Sequence, residues 1–189
     1  MGLVQNLAAL ASPILNIPTI RRIRRNHGLE HATIHLLARN STSRRQRLRL
    51  AGRSDHRGFY LYGDVTTEEV ERALDEALTR LRGGEHDLAI HPNCGTNLLT
   101  TGVIASLAAL IGTAGMQRNW QDRLERFPTV VLMVIGALIF SPLLGASFQR
   151  HFTTLGDPGD MEVVEVRRHE VAGLFGGRLR IHRVNTIRG

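Results

Sequence analysis

Between Thr66 and Leu81 the apolar positions recur at a helical spacing: Val70, Ala73, Leu74, Ala77, Leu78 and Leu81 form one stripe. Thr66 and Glu69 make a capping box, Glu68–Arg72 and Glu76–Arg80 add pairs four residues apart, and Gly83-Gly84 ends the helix. A second helical pattern runs from about Ile20 to Arg39, with Ile23, Leu29, Ile34, Leu36 and Leu37 available for packing. Elsewhere the period drops to two. Ser41–Arg53 alternates Leu48 and Leu50 with Arg47 and Arg49, GFYLYG (58–63) joins aromatics to turn glycines, and Leu88-Ala89-Ile90 is a short apolar run. MEVVEVRRHEV (161–171) and RLRIHRVNTI (178–187) flank Gly176-Gly177 and predict a β-hairpin. These segments predict a small α/β unit, one helix on a short sheet that the C-terminal hairpin extends. His169 and His182 fall in polar phases of the hairpin and are expected to face solvent, as are His56 and His86 in turns.

Three uncharged stretches interrupt that pattern. Residues 98–116 and 128–149 each have about the 20 residues that cross ~30 Å of hydrocarbon, and a short polar loop joins them. They predict a transmembrane helical hairpin; a pair of helices buried in a soluble core is the competing reading. A hairpin leaves both termini on one side with most of the arginines, which points to the cytoplasmic face, although Arg118, Arg123 and Arg126 lie in the loop. Residues 1–20 are also uncharged, but Pro13, Pro18, Gln5, Asn6 and Asn16 break their apolar face. They are expected to form an interfacial helix over 1–19, with a membrane span and a core helix as alternatives. Arg21, Arg22, Arg24 and Arg25 would then lie at anionic headgroups.

The expected fold is thus an α+β membrane protein in four parts: the interfacial helix at 1–19; a cytoplasmic metal-motif and α/β region at 20–97; the transmembrane hairpin at 98–149; and the C-terminal β-hairpin at 150–189, joining the cytoplasmic sheet. The net charge of +7 comes from arginine alone, and it favours acidic partners such as anionic lipid. Nucleic acid is not expected as a partner: aromatics are 5% of the chain and no recognition-module signature accompanies the basic run. A single cysteine, Cys94, excludes an internal disulfide.

Candidate chemistry gathers in two motifs. His27-Gly28-Leu29-Glu30-His31 places two imidazoles one turn apart on a helix face, with Glu30 flanking them and His35 a further turn on. His-x-x-Glu-His is an inverted zinc-protease signature, and the composition gives roughly 0.02 chance matches in the whole chain. His91-Pro92-Asn93-Cys94 sets a nitrogen and a sulfur donor at a spacing common among zinc ligands. His27, His31, His91 and Cys94 are the expected metal ligands, with His35 a ligand or a partner behind one. Thr96 and Asn97 are expected to cap the first apolar helix.

HGLEH, followed by HPNCGT at the entrance of an apolar run, resembles the bacterial membrane proteins of the YqhQ type. The resemblance rests on His27, Gly28, Glu30, His31, His91, Pro92, Cys94, Gly95 and Thr96, and covers the two motifs and the first apolar run. Leu29 stands where that family has alanine, and Asn93 where arginine is usual. It implies a metal-dependent enzyme of a distant, compact kind and names no reaction.

Two functions follow from these residues. In one, the protein is a metal-dependent hydrolase at the cytoplasmic membrane interface, with zinc as cofactor, Glu30 as general base, and a lipid-borne or membrane-protein substrate. In the other, four ligands close the coordination, and the protein is a membrane scaffold or partner-binding subunit with a structural metal.

Overall fold

The computed structural model describes residues 2–40, 50–115, 119–172 and 178–189. It is mixed α/β, with six α-helices and one four-stranded sheet among the described residues. The chain divides into two compact units, one made of residues 1–91 with 150–189 and the other of residues 92–149.

The first unit begins with α1 (Leu3–Leu10) and α2 (Ser12–Leu15), which bury little, and continues in the long α3 (Pro18–Asn40). Strands β1 (Ala51–Asp55) and β2 (Gly58–Tyr62) form a hairpin, α4 (Thr67–Arg82) follows, and β3 (Glu162–Ala172) and β4 (Arg178–Ile187) complete an antiparallel sheet in the order β1-β2-β4-β3. The C-terminal hairpin therefore extends the first, through β4 against β2. Gly58 adopts φ 140°, and a Cβ there would lie 2.0 Å from the carbonyl oxygen of Val184, so β2 lies against β4 at this point only with glycine.

Alternation in β2 puts Phe59 and Leu61 into the core and Tyr60 and Tyr62 on the opposite face. Leu29, Ala32 and Leu36 from α3 and Val70, Ala73, Leu74, Ala77 and Leu81 from α4 meet them, with Val184, Val65 and Met161. Each fully buried leucine or phenylalanine contributes about 1.5–3 kcal/mol. Thr66 caps α4 as its sequence requires: its hydroxyl accepts from the Glu69 N–H, while Glu69 accepts from the Thr66 N–H.

Three expectations are corrected here. Leu88-Ala89-Ile90 is no strand; a 3-10 turn spans His86–Ala89. His182 is fully buried, on the same face of the sheet as Leu61, its cross-strand neighbour. Of the four arginines expected at headgroups, Arg24 is buried and donates to the carbonyls of Leu15, His151 and Thr154, and Arg25 is turned onto Asp157. Of the basic run, residues 41–49 lie outside the described residues; β1 begins at Ala51.

The second unit is a pair of helices, α5 (Gly95–Thr113) and α6 (Trp120–Phe148). Both are long and apolar enough to cross a membrane; none of the apolar window of α5 is buried, and 11% of that of α6. Pro142 lacks the N–H that would bond the Leu138 carbonyl, and the Ser141 hydroxyl, 3.2 Å away, donates to that oxygen instead. Thr101 and Ser141 hydrogen-bond across the pair at 2.8 Å. Gly145 lets α6 approach α5, since a Cβ there would lie 2.2 Å from Oδ1 of Asn97.

Candidate metal centre

Helix α3 carries His27, His31 and His35 at four-residue intervals, so all three project from one face. That face packs on the 3-10 turn and the residues after it. His31 Nδ1 lies 2.7 Å from the Ala89 carbonyl, His35 Nε2 lies 2.8 Å from that of Ile90, and His27 Nδ1 lies 2.9 Å from that of Thr153. A carbonyl oxygen only accepts, so each of these nitrogens is the protonated one. His27 and His31 therefore carry their lone pair on Nε2, and His35 on Nδ1.

His91 completes a row of four imidazoles. Ring centroids are 4.3 Å apart for His27–His31, 5.7 Å for His31–His91 and 4.6 Å for His35–His91. His31 is buried and the other three half-buried. Burial, then the neighbouring His35 and His31, hold the His91 imidazole down to about 4. It is thus neutral at physiological pH, the form in which imidazole coordinates a metal.

Gly28 makes this arrangement possible. A Cβ at position 28 would lie 2.5 Å from the Leu155 carbonyl oxygen and 3.3 Å from the Ala89 side chain. The glycine lets the segment that carries the Thr153 carbonyl run close against α3. That segment leaves a π-helical turn at Gln149–Thr153, and its Leu155 N–H donates to the Arg24 carbonyl at 2.9 Å. Arg24, with its bonds to His151 and Thr154, pins the same stretch to the helix.

Leu29 enters the core, and Glu30, 3% exposed, reaches β1, where the Ser54 hydroxyl donates to its Oε2. Its carboxyl is pushed up by burial, against the opposing pull of Ser54 and His27. A Cβ on Gly52 would lie 2.1 Å from Oε1 of Glu30, so glycine in the strand is what seats the carboxylate.

Cys94 opens the helix-pair unit as the N-cap of α5, with its buried thiol accepting from the Thr96 N–H at 3.4 Å. It stands three residues after His91, no further than about 11 Å by chain geometry. The cap expected of Thr96 or Asn97 is thus supplied by Cys94. Asn97 is buried instead, donating to the Pro92 carbonyl and accepting from Gln149 Nε2, both at 2.8 Å.

A row of imidazoles is chemistry that suits a borderline-soft divalent cation. The two Nδ1–H···O=C bonds on His27 and His31 are the orientation that ligating histidines show in metal sites. Sequence reasoning found these residues but not their supports, Ser54, Gly52 and the Thr153 carbonyl. Gly28 within the motif was the one visible signal, since glycine inside a helix carries a cost that close packing has to explain. Of the remaining histidines, His56, His86 and His169 are exposed as expected.

Residues 22–166 of the chain match the family described as "Domain of unknown function (DUF6391)". An uncharacterized protein of Picosynechococcus sp. is 36% identical over 160 residues, covering 79% of this chain and 74% of that protein. No solved structure matches the chain.

Proposed function

The chain belongs to the DUF6391 family, and from that premise we propose that it is an integral membrane protein that holds one divalent metal ion beside the membrane. The donor chemistry favours zinc, on His27, His31 and His91 with Cys94. The observation that carries this reading is the pair of backbone carbonyls, of Thr153 and Ala89, that fix Nε2 of His27 and His31 as the lone-pair nitrogens of two rings 4.3 Å apart. The matched region spans both motifs and both apolar helices. The resemblance to YqhQ-type proteins points the same way.

The membrane part of the proposal rests on α5 and α6, whose exposed Leu98, Leu99, Val103, Leu132, Ile139 and Leu143 make an apolar surface too large to leave in water. A transmembrane hairpin takes them into lipid, places the termini together on the cytoplasmic side, and brings α1 to the interface.

The catalytic reading is a hydrolase of a lipid-borne or membrane-embedded substrate. In this reading His27 and His31 would hold the ion with only one of His91 or Cys94 as third ligand, and the ion would supply Lewis acidity at the position left open. Glu30 would take the proton of the attacking water, its basicity raised by burial and its free orientation limited by Ser54 and Gly52. The fixed tautomers of His27 and His31 would keep their orientation through the reaction.

One observation favours the second reading, a structural ion in a scaffold or partner-binding subunit. The carboxylate of Glu30 is engaged at β1, and three imidazoles with a thiol, if all four bound the ion, would close a tetrahedral set. Electronic absorption of the cobalt-substituted protein separates the two. Bands that shift when azide or cyanide is added mark an open position and support the hydrolase; bands of four fixed protein donors that ignore both anions mark the structural ion. Glu30→Gln that keeps its metal and also keeps hydrolytic activity would remove the base from the proposal.

A further inference from the structure

At the first turn of α3 a recess of about 340 Å³ opens on the sheet unit, lined by Thr19, Arg21, Arg22, His56, Asp160 and Arg188. The side chains that line it include three guanidinium groups, an imidazole and one carboxylate, beside the backbone of Gly189. Asp160 accepts from the Gly189 N–H at 3.0 Å, and Arg188 pairs with Glu162 at 2.7 Å. Arg21 is exposed. Arg22 is anchored by its Nη2, which donates to the Thr186 carbonyl at 2.7 Å, while its Nε is buried with no hydrogen-bond partner among the described residues.

A buried guanidinium N–H without an acceptor is costly, and Arg22, which carries one, is among the residues that line the recess. The recess also lies at the N-terminal end of a 23-residue helix, where first-turn N–H groups and the positive end of the dipole favour an anion. Guanidinium forks match a tetrahedral oxyanion better than a point charge does. Immediately before this turn, α1 and α2 expose Leu3, Leu10 and Ile14, at 75%, 80% and 60%. An apolar surface leading into a basic recess is the pattern of a segment lying at a headgroup layer. Arg24 is buried in the fold and Arg25 is paired with Asp157, whereas Arg21, Arg22 and Arg188 line the recess.

We propose that this recess is a phosphate-binding site, filled by the phosphate of an anionic lipid headgroup or by free phosphate. It does not depend on the metal centre. Two substitutions test it without disturbing the anchored Arg22. Arg21→Glu reverses an exposed charge. Thr19→Glu puts a carboxylate in the recess at a helix N-terminus, where it stabilises the helix while repelling an anion. The full chain, purified in detergent and stripped of lipid, is offered phosphatidic acid and phosphatidylcholine and examined by native mass spectrometry. Inorganic phosphate is titrated separately by calorimetry.

The expected result is one phosphatidic acid held per chain in preference to phosphatidylcholine, with affinity falling about tenfold or more in each variant and the melting temperature of Thr19→Glu unchanged or raised. Lipid retention without a phosphate signal assigns the site to a headgroup. Phosphate binding that both variants weaken, without lipid preference, assigns it to the free ion. Binding of neither, or binding that both folded variants leave unchanged, overturns the proposal.

Discussion

A Cβ on Gly52 would lie 2.1 Å from Oε1 of Glu30, so the glycine in strand β1 and the buried glutamate of α3 are fitted to one another. Gly52→Ala should therefore cost about 1–3 kcal/mol of stability, the usual effect of overpacking a filled site. In a Glu30→Ala background the same substitution should cost much less, because the carboxylate that blocks it is gone. Thermal melts of the two single variants and the double variant measure the coupling; additive losses would show that the two positions do not share that space.

Gly28 acts through the chain segment that it admits. Gly28→Ala drives a Cβ toward the Leu155 carbonyl oxygen and should push the segment carrying the Thr153 carbonyl off α3. His27 then loses the acceptor that fixes its tautomer. The expected outcome is a folded protein with metal affinity reduced about 10–100-fold, the range for lost outer partners of a ligand. A chelator competition titration checks it. Affinity equal to that of the unsubstituted protein would mean that the Thr153 carbonyl does not orient His27.

His182 gives the fold a pH dependence of its own. Burial, with Arg168 and Arg180 nearby, lowers its pKa from 6.5 despite Glu68, and Thr67 Oγ1 lies 3.4 Å from its Nε2. The folded state favours the neutral ring, so on acidification the unfolded chain takes up the proton first. The stability it contributes is complete above about pH 6.5 and is lost as the pH falls below that value. Metal-free His182→Gln should show a flatter fall in melting temperature between neutral and mildly acidic pH. An unchanged slope would place the titration elsewhere.

Much of this was legible because local chemistry agreed with the final packing. The α4 stripe, its capping box and the alternation of Phe59 and Leu61 fix their own elements. The histidine spacing of α3 fixed which rings share a face. Leu88-Ala89-Ile90 misled because its apolar run suits a strand, whereas the carbonyls of Ala89 and Ile90 are taken by His31 and His35 rather than by a neighbouring strand. In β4 the alternation of RLRIHRVNTI placed His182 in a polar phase. The sheet is registered instead by Val184, opposite Phe59, which carries His182 inward with it. Arg24 looked like a surface charge because sequence cannot show three backbone carbonyls converging on it.

The transmembrane hairpin makes a topological prediction. A cytoplasm-active reporter fused after Gly189 should be active, and the same reporter inserted between α5 and α6 should be inactive. Activity at both positions would leave the two apolar helices on one side of the membrane and contradict the hairpin.

The most direct test of the metal centre is metal content by mass spectrometry on the detergent-purified full chain, beside His31→Ala and Cys94→Ser. The account predicts close to one divalent ion per chain, lost in both variants, which would put the α3 histidines and the cysteine around the same ion. No bound metal in the unsubstituted protein, even after reconstitution with zinc, would contradict it and leave the four imidazoles as packing groups of the sheet unit.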